Sequence, residues 1–259
     1  MTLLEGSKRG GSMLCLHPFH PDKLKKITIS RKEFYYERRY FVGGDLVKDV
    51  SSEVDLGVCI DTELNFNENR KLRIGKANRI MGATRRSFRY LDKYSFVKLY
   101  KSMVRCHLEF AVPVWFPYLK KDIEEVETVQ RRATKMLACT KNMSYEERLR
   151  FLDIPTLVYR RHRGDMIQTF AMINGYYDPD VIPTFVLRSG GNRGHSKMIY
   201  IQRSKTEIRA NSFSRRVAPV WNSLTEKLVS AVSVDAFKVL LDEHWKDHPM
   251  KFDHTKTVL

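Results

Sequence analysis

The sequence predicts an α+β fold that is mainly α-helical: a small N-terminal antiparallel β-hairpin unit, a basic helical bundle, and a helical C-terminal region. Three observations predict it. Residues 24–66 hold short alternating segments punctuated by glycine, the pattern of strands and hairpin turns. From about Asn69 the apolar residues recur at spacings of three and four, which line one face of a helix. The chain has 259 residues, 42% of them hydrophobic and 11% aromatic, so it can build a core and is too apolar for a disordered basic tail.

Residues 1–23 lack clear periodicity and read as a loose leader. Lys26–Ser30 alternates like a strand, and Tyr40–Val42 followed by Gly43-Gly44-Asp45 predicts a strand entering a hairpin turn. Asp55–Asp61 reads as another short apolar strand. In residues 67–142, the first helix of the bundle places Ile74, Ala77, Met81, Thr84, Phe88 and Leu91 on one seam. A second, from near Ser95, turns Phe96, Tyr100, Met103, His107 and Phe110 inward until Pro113 interrupts it. A third, from about Asp122, buries Ile123, Val126, Val129, Ala133, Met136 and Leu137 and puts Gln130-Arg131-Arg132 near its outer side.

Residues 143–259 form the C-terminal extension. Ser144-Tyr-Glu-Glu147 is a capping box that opens a short helix through Leu152. Pro155 suits the first turn of the next helix, which carries Leu157, Val158, His162, Met166, Thr169, Phe170 and Ile173 and stops at Gly175. A basic, Gly/Pro-punctuated loop follows at about 176–210, then helices over Phe213–Trp221 and Ser233–Trp245.

Charge is the functional signal. The formal net charge is +16, and twelve cations run from Arg70 to Arg105 opposed by Asp92 alone. A solubilising face usually mixes signs, whereas a one-sign field attracts polyanions and gains affinity with each phosphate neutralised. Tyr90 and Tyr94 interleave with this arm and are candidates to stack on unpaired bases, while Phe88 and Phe96 belong to the apolar seam.

Other chemistries find little support. Cys15, Cys59, Cys106 and Cys139 are far apart, with no C-x-x-C pair, and indicate neither a zinc ribbon nor a dense disulfide framework. The start has no signal-peptide pattern, and the most apolar run, Phe110–Leu119, is short and broken by two prolines, so no transmembrane segment is expected. No Asp-Asp pair occurs, and Asp45, Asp49, Asp55 and Asp61 suit turns and caps better than a two-metal centre. Cys15, His17 and His20, and the pair His244 and His248, fall short of a zinc ligand set. Gly190-Gly-Asn-Arg-Gly-His195 lacks the Lys-Ser/Thr of a P-loop and reads as a cationic surface loop.

Segment order carries a resemblance. Asp55-Leu-Gly-Val-Cys-Ile-Asp61, Lys76-Ala-Asn-Arg79, Leu99-Tyr-Lys-Ser-Met-Val-Arg105, Leu108-Glu-Phe-Ala111 and Val114-Trp-Phe-Pro117 stand in sequence. Val129–Lys135, Ser144–Leu149, Arg160–Asp165, Arg193-Gly-His-Ser196, Phe213–Val217 and Trp221-Asn-Ser-Leu224 continue the series. Together, over roughly residues 40–245, they resemble the C-terminal part of a reverse transcriptase from non-LTR retrotransposons of the jockey and chicken-repeat type. The resemblance implies the end of the palm over residues 24–66, a thumb-like bundle over 67–142, and the element's C-terminal extension beyond.

It implies a fragment of an RNA-directed DNA polymerase whose fingers and metal-bearing palm strand lie before residue 1, truncated and inactive alone. The intact polymerase would need Mg; no cofactor is expected here. The expected partners are RNA, DNA or an RNA–DNA hybrid, and a separate palm and fingers chain. The expected compartment is the nucleus or cytoplasm, without secretion or membrane contact. Candidate phosphate contacts are Arg73, Lys76, Arg79, Arg86, Arg89, Lys101 and Arg105, with Arg131, Arg132, Arg193 and Lys197 as further nucleic-acid-binding residues. Two alternatives stand beside this reading: a domesticated helical module that binds a protein, and a thumb subunit acting in trans with a separate palm. The second requires an exposed apolar face near residues 24–61.

Overall fold

A computed structural model describes residues 24–29, 38–42, 44–88, 90–188 and 194–258. The leader with Cys15, His17 and His20, and also Arg89 and Arg193, lie outside the described residues. The chain divides into two compact units, one ending at Glu63 and one beginning at Leu64. The architecture is α+β and mainly helical, with short strands confined to the first unit.

In the first unit, β1 (Lys25–Lys26) pairs in parallel with β4 (Lys48–Asp49). The other two pairs are antiparallel: β2 (Phe41–Val42) with β3 (Asp45–Leu46), and β5 (Ser52–Asp55) with β6 (Val58–Asp61). The hairpin expected after Val42 is therefore present. Asp55–Asp61 is not one strand: Leu56 (φ 44°) and Gly57 (φ 83°) form a two-residue turn between β5 and β6. Both central residues take positive φ, the geometry that matches the twist of a tight hairpin. Leu56 gave no turn signal because it is apolar, yet its side chain is 90% exposed. Tyr40, Phe41, Leu46 and Val54 are also exposed on this unit.

The second unit opens with α1 (Asn67–Ser87), followed by α2 (Lys93–Leu99), a π-helical turn (Tyr100–Val104) and α3 (Arg105–Glu109). α1 ends earlier than its apolar seam suggests. Phe88 is extended, caps the helix and is about half exposed, so it is no core residue. Asp92 caps α2 by accepting from the Tyr94 and Ser95 amides at 2.8 and 3.0 Å. In the π-helical turn the Arg105 amide reaches back to the Tyr100 carbonyl, five residues away. The extra residue per turn shifts the buried stripe to Phe96, Tyr100, Val104 and Leu108. Met103, expected inward, is therefore exposed, and Phe110, also expected inward, is exposed in extended backbone past the end of α3.

After α4 (Val112–Trp115), α5 (Lys120–Thr134) brings Val126, Val129 and Ala133 into the same core, which extends past residue 142 to Leu149, Leu152, Ile154 and Leu157. Gln130 is fully buried rather than outward. It accepts from the Tyr100 hydroxyl at 2.6 Å and donates to the Pro155 carbonyl at 3.1 Å. Beside it, the buried Glu127 carboxylate accepts from the Tyr145 hydroxyl at 2.6 Å and the Leu157 amide at 3.1 Å. The predicted capping box closes both ways on α6 (Tyr145–Leu152).

α7 (Leu157–Ile173) is capped by Thr156, so Pro155 sits just before the helix, and Gly175 (φ 73°) follows its end as expected. From Val158 onward α7 faces a second apolar core. There Met166 and Phe170 meet Trp221 of α9 (Phe213–Asn222) and Phe237 and Leu241 of α11 (Val234–His244). The short α8 (Glu207–Ala210) and α10 (Glu226–Val229) flank α9.

Residues 195–199 lie along α9, where the Asn222 amide bridges the Ile199 N–H and carbonyl, both at 2.8 Å. Glu226 fastens the same segment, accepting from the Ser196 amide at 2.7 Å, the Ser196 hydroxyl at 2.8 Å and the Ser230 hydroxyl at 2.7 Å. These donors, the Ser196 amide foremost, hold the Glu226 carboxyl down at about 2. A carboxyl whose pKa is depressed by folding adds stability above its unfolded value, and that stability is lost as pH falls through the folded value. Glu226→Gln is therefore expected to melt below the parent at neutral pH. The gap should narrow as pH drops from the ordinary 4.5 toward about 2. Thermal melts across that range check it; a gap that ignores pH would rule out the clamp.

Candidate nucleic-acid interface

The positive arm of the sequence divides between two fates. Arg70 turns inward, its Nη2 at 3.0 Å from Asp122 and its Nε at 2.6 Å from Glu125, which ties α1 to α5. Arg73 is also buried, with its guanidinium 4.1 Å from the Phe110 ring centroid, and desolvation lowers its pKa. Both lie on the face of α1 that carries Ala77 and Thr84. Arg73 thus stabilises the bundle instead of meeting a phosphate. A guanidinium over an aromatic face is attracted by the ring's negative quadrupole.

Away from that face the helix is different. Arg79 and Arg86 lie opposite it, with Arg85 and Lys76 on the two flanks; Arg79, Arg85 and Arg86 are exposed, Lys76 is half-buried, and none carries an ion pair among the described residues. Arg79 and Arg86 are two helical turns apart, about 10 Å along the axis. Gly75 and Gly82 precede them at the same spacing, giving Gly75-x-x-x-Arg79 and Gly82-x-x-x-Arg86. A β-carbon at Gly75 would meet nothing within 4 Å, and one at Gly82 would meet only the tip of Arg86, at 3.4 Å. Internal packing therefore does not call for glycine at either place. Each costs about 1 kcal/mol against alanine in a helix interior. What they leave is a helix face low enough for another backbone to approach.

Beyond α1, Lys93 and Lys98 are exposed and lie over aromatic rings, Lys93 at 4.5 Å from Phe151 and Lys98 at 4.2 Å from Tyr94. Tyr90 is 86% exposed and Tyr94 67% exposed, so both keep a ring face within reach of solvent. Arg132 of α5 is exposed and unpaired among the described residues, and Lys101 is half-buried.

Three other candidates are engaged internally. Arg105 Nε lies 3.6 Å from Glu109, a carboxylate that also receives both arms of Arg160 at 2.8 and 3.0 Å; burial lowers the Arg105 pKa. Arg131 is paired with Glu124, whose hydrogen bond raises the arginine pKa, and lies 5.1 Å from the Tyr145 ring. Lys197 donates to Asn174 at 2.5 Å and to the Val229 carbonyl at 3.2 Å, inside the C-terminal region. The structure brings Lys76, Arg79 and Arg86 onto one helix and leaves Lys197 apart from them, on Asn174 and the Val229 carbonyl of the C-terminal region.

Sequence reasoning passed over Arg85, Lys93 and Lys98 as contacts. The seven-residue repeat of glycine and arginine on α1 was the signal available for this face. No three-residue cluster of potential metal ligands occurs among the described residues, and no described helix is long and apolar enough to cross a membrane. No protein-family model, curated protein or solved structure matches the chain.

Proposed function

We propose that this protein binds the backbone of a nucleic-acid duplex, an RNA–DNA hybrid of the template–primer kind, through the outer face of α1, as the thumb of a non-LTR reverse transcriptase would. The observation that carries the reading is the exposed, unpaired set Arg79, Arg85 and Arg86 beside two glycines that internal packing does not need. Guanidinium groups suit phosphate geometry, and backbone contacts of this kind position a duplex without reading its sequence. Arg132, Lys76 and Lys101 add further cations to the bundle, and Tyr90 and Tyr94 offer stacking faces at a strand end. Catalysis is assigned to a separate palm. Titration of a fluorescent RNA–DNA hybrid across a salt series tests the proposal: a steep loss of affinity upholds it, and weak binding indifferent to salt sinks it.

A second reading, a thumb working in trans, draws on the exposed Tyr40, Phe41, Leu46, Val54 and Leu56 of the hairpin unit. Apolar residues gathered on so small a unit suit a docking partner. Adding this chain to a separately made palm and fingers chain should then raise primer extension. No gain at saturating concentration would end that reading.

A further inference from the structure

A cavity of about 430 Å³ opens beside α9, between the segments at 183–186 and 199–202 and the first turns of α8 and α9. Its walls carry Arg209 and Arg215, the polar side chains of Gln202 and Ser214, and the rings of Phe185 and Tyr200. No acidic side chain is among the described residues that line it. Arg215 Nη1 is buried and has no hydrogen-bond partner among the described residues, and Arg209 carries no ion pair there. The neighbouring Arg216 is employed elsewhere, on Asp165, two backbone carbonyls and the rings of Phe116 and Phe213.

A buried guanidinium nitrogen without an acceptor is costly unless something supplies one. Two arginines with no carboxylate beside them call for an anion, and the fork of a guanidinium fits phosphate oxygens. The volume exceeds what a phosphate alone needs and falls in the range of small organic ligands. Phe185 is held edge-on by Phe213 at 6.5 Å, whereas Tyr200 is 56% exposed and presents a ring for stacking. The wall is firm, because Asn222 and Glu226 clamp residues 196–199 from behind.

We infer that this cavity binds a nucleotide carrying a terminal phosphate monoester, with the phosphate on Arg209 and Arg215 and the base against Tyr200. The inference is independent of the duplex reading, since it concerns a different core of the molecule and different arginines.

Calorimetric titration of the full chain with adenosine monophosphate tests it, with adenosine, inorganic phosphate and a short single strand bearing a terminal phosphate as the other probes. Saturable binding of adenosine monophosphate or of the phosphorylated strand is expected, and the tighter of the two identifies the source of the nucleotide. Adenosine should bind at least about tenfold more weakly, because the charge-assisted contacts go with the phosphate. Arg209→Met, an exposed position that leaves the fold intact, should weaken binding by about tenfold, and Arg215→Lys should do the same. The triple variant Arg79→Gln/Arg86→Gln/Arg132→Gln should bind the mononucleotide like the parent, which separates this site from the duplex surface. No saturable binding of either phosphorylated probe, or binding that survives both pocket variants, would overturn the site. Inorganic phosphate binding as tightly as adenosine monophosphate would overturn the nucleotide assignment.

Discussion

Affinity for an RNA–DNA hybrid is expected to fall by roughly three orders of magnitude between about 50 and about 200 mM salt. The size follows from taking six of the bundle's exposed cations without ion pairs among the described residues as the contacts: Arg79, Arg85, Arg86, Lys93, Lys98 and Arg132. About six phosphates neutralised give a log–log slope near −5, since each releases about 0.9 counterion from a duplex. Arg79→Gln/Arg86→Gln/Arg132→Gln should flatten that slope by about 3 while leaving the melting temperature unchanged, because all three side chains are exposed. Arg73→Gln should do the reverse, lowering the melt through the loss of its contact with Phe110 and leaving the slope alone. Fluorescence anisotropy at four or five salt concentrations reads both. A slope near zero, or one the triple variant does not move, would give the charge back to solubility and move a protein partner into first place.

Asp165→Ala is expected to destabilise the fold by about 3–5 kcal/mol, the cost of leaving a buried partner charge unpaired. Asp165 is 2% exposed, and it receives Arg216 in a two-pronged pair, Nε at 2.9 Å and Nη2 at 3.1 Å. The same guanidinium donates to the carbonyls of Pro113 and Asn211, both at 3.0 Å, and lies 4.3 Å from the Phe116 ring. One carboxylate on α7 therefore holds α9 to the segment around α4. Arg161, also buried and without hydrogen bonds among the described residues, relies on the same carboxylate, with Glu127 and Glu109, to offset its desolvation, which lowers its pKa to about 10. Truncating Asp165 strands Arg216 and removes one of the three carboxylates that offset Arg161. Asp165→Leu combined with Arg216→Met should recover much of the loss, because a well-packed apolar pair avoids the desolvation of two ions. Urea unfolding followed by tryptophan fluorescence gives the comparison, since Trp221 and Trp245 lie in the adjoining core. A single variant within about 1 kcal/mol of the parent would show that the pair adds little.

Local signals are legible in this sequence and distant ones are not. The Ser144–Glu147 box, the stop at Gly175 and the hairpin after Val42 each depend on residues within a few positions of one another, so spacing alone reveals them. The fates of Arg70, Arg73 and Arg161 depend on partners that are distant in sequence, such as Asp122 and Phe110, and a charge looks the same in sequence whether folding buries it or not. Gln130 misled for the same reason, its hydroxyl and carbonyl partners coming from three other segments. In the candidate site, the helix and the sign of its field were legible. Which of its cations face outward was decided by the buried stripe, whose edge includes two arginines that hydropathy alone assigns to water.

The π-helical turn at Tyr100–Val104 makes chain length negotiable at one place in the core. Loss of a residue from a regular helix swings everything beyond it by about 100°, which usually empties one face of a core and fills the wrong one. Here the relation is inverted. Removing Ser102 would leave Phe96, Tyr100, Val104 and Leu108 at spacings of four, three and four, the ordinary rhythm of an α-helix, with the same four side chains still pointing inward. The segment is thus a spliced helix that two lengths of sequence can satisfy, and the bundle can drift by one codon there without losing its interior.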